Sequence, residues 1–312
     1  MIAKGIAVIG STTIDKIVHR DRSWFKIGGA TTYAGITYSR HGIRTLAITN
    51  IAKCNPEIVK KLRKEKIRVA SGQTEVTTHF INYLKNDNRR QKITQRAAPI
   101  SCRQIQDKLK SVAWVHLGPL HPSDIDIQAI KSLNRRHLYV ILDTQGLVRS
   151  VKNEIVYPAV STHLTDALRI SNLVKANNRE YKAIVDFYQV DLSELMRRFK
   201  IEEFIVTSGK NGGFIKTIYG ETVQYKAYKA NKTAAAMSIE DVTGAGDIFL
   251  AAYVIGRILN RQMIAEASQY AAKLVARQIG GNYIEPEVLA LEDRIANPDL
   301  LENQKRLINP ER

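Results

Sequence analysis

Asp241-Val-Thr-Gly-Ala-Gly-Asp247 sets two carboxylates at the ends of a seven-residue run whose centre is nearly bare backbone, and the apolar run IFLAAYVIGRIL follows at once. Three small residues, Gly244, Ala245 and Gly246, at the start of a helix leave backbone N–H groups sterically open, and the helix dipole adds positive potential there. A phosphate fits such a place. Asp247, on the first turn of that helix, stands where a carboxylate can take a proton from a hydroxyl attacking the phosphate. By itself a Gly-Ala-Gly run is also a plain tight helix entry flanked by acidic caps, so the rest of the chain has to decide.

Upstream, GIAVIGS at the start of the chain is a short apolar run ending in Gly-Ser, and RTLAITNI, AWVHLGPL, HLYVILDTQG and EFIVTSG repeat that form. Each reads as a buried strand entering a turn. Helical patterns lie between them: NPEIVKKLRKEKI opens on an Asn-Pro start signal, and DLSELMRRF keeps its apolar residues on one face. The alternation predicts a mostly parallel sheet with helices on both faces. Residues 78 to 96, THFINYLKNDNRRQKITQR, are too polar for burial on both faces and read as an antiparallel flap turning at Asn86-Asp87-Asn88. Downstream, helical patterns at 245 to 259 and 263 to 279 close the fold before a polar tail with Asn-Pro at 297 to 298 and 309 to 310.

Composition narrows the functional classes. Hydrophobic residues make up 44% and charged residues 25% of the 312, ordinary globular usage that argues against disorder. Only Cys54 and Cys102 occur, and no charged-then-apolar leader precedes the first strand, so a reducing cytoplasm is expected. No apolar run reaches the ~20 residues of a membrane span. Net charge is +17, and it is uneven: residues 1 to 120 hold 22 Lys and Arg against 7 Asp and Glu, whereas 121 to 312 hold 25 against 23. Without a nucleic-acid motif this excess reads as a solvated surface or a steering field for an anionic ligand rather than a nucleic-acid interface. The chain has no G-x-x-x-x-G-K-[ST], no G-x-G-x-x-G after its first strand, no H-E-x-x-H and no G-x-S-x-G, which removes the P-loop, dinucleotide-binding, zinc-hydrolase and nucleophile-elbow readings.

The 241 to 247 run, late in an α/β chain, resembles the C-terminal signature of the ribokinase-like PfkB carbohydrate kinases. Other segments follow that family's order. Asp15 in GSTTID matches the acid that binds a substrate hydroxyl, and Gly28-Gly29 followed by ATTYAGITYSRHGI matches the N-terminal di-glycine motif. Asn177 and Glu180 in KANNRE match the Asn-x-x-Glu motif that organises magnesium and phosphate through water. Thr207, Gly209 and Gly212 in VTSGKNG match the strand and turn that line the nucleotide phosphates. Taken singly, each has a plain structural reading as a turn, a helix entry or a capping pair.

The resemblance implies a single ribokinase-like domain over 1 to 312, with a small β lid from about 12–27 and 74–97. It implies a kinase that transfers the γ-phosphoryl of ATP, with Mg²⁺, to a hydroxyl of a small sugar or polyol. Asp247 would be the base, the 244 to 246 amides would stabilise the transferring phosphoryl, and Asp15 with the di-glycine would hold the acceptor. Two departures stand out. Only residues 16 to 27 separate the first acid from the di-glycine, and Tyr33 replaces the family's usual Asn. These features, with Gln145 and Arg149 in DTQGLVR, are most like the myo-inositol kinase branch. A nucleoside kinase on the same scaffold, and a non-catalytic binder using the basic first 120 residues, remain as alternatives; whether the chain pairs as a homodimer is left open.

Overall fold

The computed structural model describes residues 5–85, 88–106, 108–135, 137–231 and 242–292. Asp241, residues 86 and 87 of the expected flap turn, and the polar tail lie outside them. A nine-stranded sheet runs in the order Thr222–Tyr225, Gly213–Thr217, Glu203–Thr207, Leu173–Asn177, Tyr139–Asp143, Val112–Gly118, Gly5–Gly10, Thr45–Thr49, Arg68–Ser71. From Glu203–Thr207 to Arg68–Ser71 all neighbours are parallel, and the first two strands form an antiparallel hairpin on one edge. All five expected strands are present. The sequence reading did not include the buried strand Leu173–Asn177, the edge hairpin 213–225 or Arg68–Ser71, whose burial is only partial.

Strand periodicity explains the layers. Along Gly5–Gly10 the side chains of Ile6 and Val8 enter one apolar cluster, with helices Ala30–Arg40, Ala245–Val254 and Ile264–Ile279, while Ala7 and Ile9 enter a second on the opposite face. Helix Leu192–Phe199 covers that second face with Leu192, Leu195, Met196 and Phe199, one stripe at i, i+3, i+4 and i+7, and Asp191 caps it by accepting from the Glu194 N–H at 2.8 Å. The long pattern after Gly244 forms helix Ala245–Val254 and continues as a π-turn, Ile255–Leu259. Among the described residues no helix is long and apolar enough to cross a membrane.

The lid is a second sheet of seven strands, in the order Arg149–Lys152, Ile155–Pro158, Asn88–Gln95, Thr78–Lys85, Thr13–His19, Arg22–Gly28, Ala290–Leu291. The two expected pieces are there, as the hairpins 13–28 and 78–95. Two further segments complete it, the hairpin 149–158 and the short Ala290–Leu291, and neither carries enough alternation to be recognised in isolation.

Close approach of small residues packs the first helix onto the central strands. Gly10 pairs with Gly118, and a methyl group added to Gly10 would lie 2.2 Å from the Gly118 carbonyl oxygen; one added to Gly118 would lie 2.3 Å from Cβ of Ala30. This contact seats the start of the first helix on the carboxyl ends of two central strands. Gly10→Ala is therefore expected to lower stability by about 3 kcal/mol, the overpacking cost where backbone has to move. Urea unfolding midpoints measure it; an unchanged midpoint would show that the contact is loose.

Candidate active site

Between the two sheets, at the carboxyl ends of the parallel strands, Asp15, Gly29, Tyr33, Gln145, Arg149, Gly244 and Asp247 line one cavity. Phe80, Gln91, Leu120 and Thr243 complete it. It is a small polar crevice, about 360 Å³ with its open mouth included. Crevices beyond the carboxyl ends of parallel strands are where open α/β sheets hold ligands, because loops and helix N-termini converge there.

Asp247 is the third residue of helix Ala245–Val254 and is buried. Burial, followed by the charge of Asp143, lifts its pKa to about 7 against the pull of Lys175 and Arg149, and Asp15 adds to the rise. A carboxyl group so poised accepts a proton at neutral pH. Gly244 caps the helix in the left-handed region, φ 82°, which a glycine adopts freely. The Ala245 N–H closes a turn onto the Val242 carbonyl at 3.2 Å. The amides of Gly246 and Asp247 come next, ahead of the first helical bond from Ile248 N–H to Gly244 O at 2.9 Å. An anion at this turn therefore meets 246 and 247 more directly than 245.

One cation at this turn was absent from the sequence expectations. Lys175 lies in the middle of the buried strand Leu173–Asn177, and its Nζ donates to Asp143 Oδ2 at 2.8 Å. A methyl at Gly246 would lie 2.8 Å from the same Nζ, so the ammonium rests against the turn. Burial opposes its charge, but Asp143, Glu180 and Asp247 outweigh that and hold its pKa above the ordinary lysine value. The signal was legible in LVKAN, since a lysine inside an apolar strand needs a buried partner.

The remaining candidates divide. Asp15 accepts from Thr13 Oγ1 at 2.7 Å and reaches the cavity. Gly28 does not line the cavity: a methyl there would sit 2.2 Å from Asp15 Oδ2, so its bareness makes room for that carboxylate. Tyr33 is 1% exposed, and its ring both belongs to the core and walls the cavity. The Gln145 N–H donates to Asp143 Oδ1 at 3.1 Å, while Arg149 begins a lid strand and its charge reaches Asp247 and Glu180.

Asn177 and Glu180 form a complete capping box on helix Asn178–Tyr188. Asn177 N–H and Nδ2 donate to the Glu180 carboxylate at 2.9 and 2.5 Å, and the Asn177 side-chain oxygen accepts from Glu180 N–H at 3.0 Å. Burial holds the Glu180 carboxyl above its usual range despite the nearby Lys175. Each Glu180 oxygen keeps a lone pair beyond its bond to Asn177, which fits a Mg²⁺ held through water and substrate phosphates rather than by a protein cage. Among the described residues no group of three His, Cys, Asp or Glu is placed to hold a metal by itself. Thr207 is the register partner of Asn177; the short turn Gly209–Asn211 follows, and Gly209 (φ 56°) has open space above it. Thr207, Gly209 and Gly212 lie along the same strand edge but outside the cavity lining.

Phe80 and Gln91, on the lid hairpin, were not singled out from sequence. Gln91 Nε2 donates to Oδ1 of the fully buried Asn82 at 2.7 Å, which fixes the orientation of its amide. Nothing local marks either residue, because only the fold turns that face of the hairpin toward Asp15.

Residues 3–287 match the pattern of the pfkB family carbohydrate kinases. The fold is similar to the sulfate complex of a pyrophosphate-dependent kinase in the ribokinase family, with TM-score 0.76, 22% identity, and 90% of this chain and 96% of that one covered. It is also similar to a pyrophosphate-dependent myo-inositol-1 kinase converted by two substitutions into a myo-inositol-3 kinase, with TM-score 0.74, 20% identity, and 94% and 99% covered. The nucleoside kinase of Methanocaldococcus jannaschii, an archaeal member of the ribokinase family, has TM-score 0.70 and 16% identity, with 96% and 98% covered. No curated protein sequence matches the chain. A match over residues 3–287, on a ribokinase-like fold whose cavity holds the signature's Gly244 and Asp247, establishes that the chain belongs to the pfkB family of carbohydrate kinases and is a phosphotransferase acting on an alcohol group.

Proposed function

We propose that the chain transfers the γ-phosphoryl group of ATP, with Mg²⁺, to one hydroxyl of a cyclic polyol of the myo-inositol type. The observation that carries this reading is a buried Asp247 with a pKa of about 7 at the floor of a small polar cavity, beside a helix-start anion turn. Asp247 takes the proton of the attacking hydroxyl, and the turn with Lys175 takes up charge on the transferring phosphoryl. Such fixed donors are worth ~3 kcal/mol each in a dry site. Mg²⁺, when bound with the donor, neutralises phosphate charge; Glu180 and Asn177 would hold its waters. Asp15, Gln145, Arg149 and Gln91 offer the several fixed polar partners that a ring of hydroxyls needs, and Phe80 and Tyr33 offer apolar walls for its C–H face.

Pyrophosphate is the second donor reading. It is favoured by the buried ammonium of Lys175 at the anion turn and by the pyrophosphate dependence of two structural neighbours. The lid offers the acceptor two further partners. Phe80 and Gln91, from its paired strands Thr78–Lys85 and Asn88–Gln95, line the cavity.

The base is tested by pH. Because Asp247 works deprotonated and its pKa is raised, kcat/KM is expected to climb as pH rises through about 7 and to level off above it. Asp247→Asn should lower kcat by roughly 10²–10⁴-fold and abolish that limb while donor binding persists. Near-normal turnover of the variant would reject the assignment.

Lys175→Met leaves Asp143 buried without its partner, and ~3–5 kcal/mol of stability should go with it. The double variant Lys175→Met/Asp143→Asn is expected to regain most of that stability but not the rate. A double variant that recovers both would reduce the lysine to a structural ion.

Acceptor and donor are decided together by measuring kcat/KM for myo-inositol, ribose, fructose, adenosine and cytidine, each with ATP and with pyrophosphate. The expected outcome is myo-inositol preferred over the nucleosides by at least about tenfold, ~1.4 kcal/mol of transition-state binding. Gln91→Leu should then change which hydroxyl is phosphorylated, read by NMR of the product. A nucleoside preference of that size would overturn the polyol reading.

A further inference from the structure

Tyr33 touches both halves of the reaction. Its ring walls the acceptor cavity beside Asp15 and Phe80. A Cβ placed on Gly244 would lie 2.4, 2.4 and 2.5 Å from Cδ1, Cγ and Cδ2 of that ring. Nearly equal distances to three adjacent ring carbons are met above the ring face and not at its edge. The Gly244 α-carbon therefore rests on the face of Tyr33, and the left-handed turn that presents the Gly246 and Asp247 amides is seated on an aromatic plate.

The plate is itself fixed. Tyr33 lies in the first turn of helix Ala30–Arg40, where its N–H bonds to Gly29 O at 3.1 Å and its carbonyl accepts from Thr37 Oγ1 at 2.8 Å. The Lys26 ammonium, on the lid strand that pairs with Asp15, stands 5.7 Å from the ring centroid. One side chain thus joins the lid, the acceptor wall and the phosphoryl turn.

Resting on the kinase reading above, we propose that Tyr33 is a positioning residue that seats Gly244 and so sets where the anion-binding amides lie relative to the acceptor hydroxyl. An aromatic face suits this task because it is flat, rigid and fills the space against a residue with no side chain. Misplacing a catalytic group by about 1 Å is enough to cost ~10²-fold in rate. It also explains why position 244 has to be bare: any side chain there would strike the ring.

The test is a set of variants whose Kd for magnesium ATP and for magnesium pyrophosphate is measured by calorimetry, with the Tm of each. Tyr33→Phe keeps the face and should bind the better donor as the wild type does. Tyr33→Leu removes it and should weaken that donor by about tenfold or more, the worth of one well-placed bond to a charged group. Phe199→Leu, a ring lost from the apolar cluster on the opposite face of the sheet, should lower Tm without moving Kd. Gly244→Ala should bind poorly, and Tyr33→Ala/Gly244→Ala should bind more tightly than Gly244→Ala because the place of the added methyl is vacated. Unchanged donor affinity in Tyr33→Leu, or no recovery in the double variant, overturns the proposal. Failure of the wild type itself to bind either donor would bring down the kinase reading and this inference with it.

Discussion

The ion pair between Lys175 and Asp143 is the interaction around which the site is arranged. The two residues are register partners on neighbouring parallel strands, both buried, 2.8 Å apart. Strands buried on both faces tolerate a charge only where it is paired, since isolated ions cost several kcal/mol each to desolvate. Placing the pair at the carboxyl end of the sheet keeps it at the boundary where the helix turn, the lid and the cavity meet. From there its two charges act in opposite senses on Asp247, with Asp143 raising the pKa and Lys175 restraining it. Without the lysine, two carboxylates would share a dry site, and Asp247 would stay protonated at neutral pH.

Glycines do a second job, which is steric rather than electrostatic. Gly28 clears the path of Asp15, Gly244 lies flat on Tyr33, and Gly246 lets the Lys175 ammonium touch the turn. At each, a methyl group would come within 2.8 Å of a charged or aromatic group. The bare run between two acids is thus a packing requirement. The backbone is bare because side chains from two other segments, Tyr33 and Lys175, already occupy the space around it.

The lid shows how a fold recruits residues that local pattern does not mark. Its centre is the parallel pairing of Thr13–His19 with Thr78–Lys85, across residues 20 to 77, which build the lid strand Arg22–Gly28 and then two helices and two strands of the main layer. Once that pairing is made, alternation sends Asp15, Phe80 and Gln91 to the cavity side. The hairpin beginning at Arg149 extends the same sheet, which is how an arginine six residues past the end of a core strand comes to influence both Asp247 and Glu180.

Sequence alone determined the layers and supplied a chemical reading of the turn. Five apolar runs leading into turns, alternating with amphipathic helical patterns, are enough for a parallel α/β sheet, because burial on two faces leaves few other solutions. The Gly244 to Asp247 run carried its phosphate-and-base reading in local terms: small residues, a helix start and an acid on the first turn. Asp15, Gly29, Tyr33, Gln145 and Arg149 were reached through the family resemblance, and the fold gathers them with Gly244 and Asp247 into one cavity. Tertiary structure decided the rest. Whether Tyr33 is core or wall, which cation stands at the turn and which lid residues line the cavity all depend on contacts between segments far apart in the chain. Such contacts carry no local periodicity, so no window of sequence contains them; packing creates them when the two sheets close on the carboxyl ends of the strands.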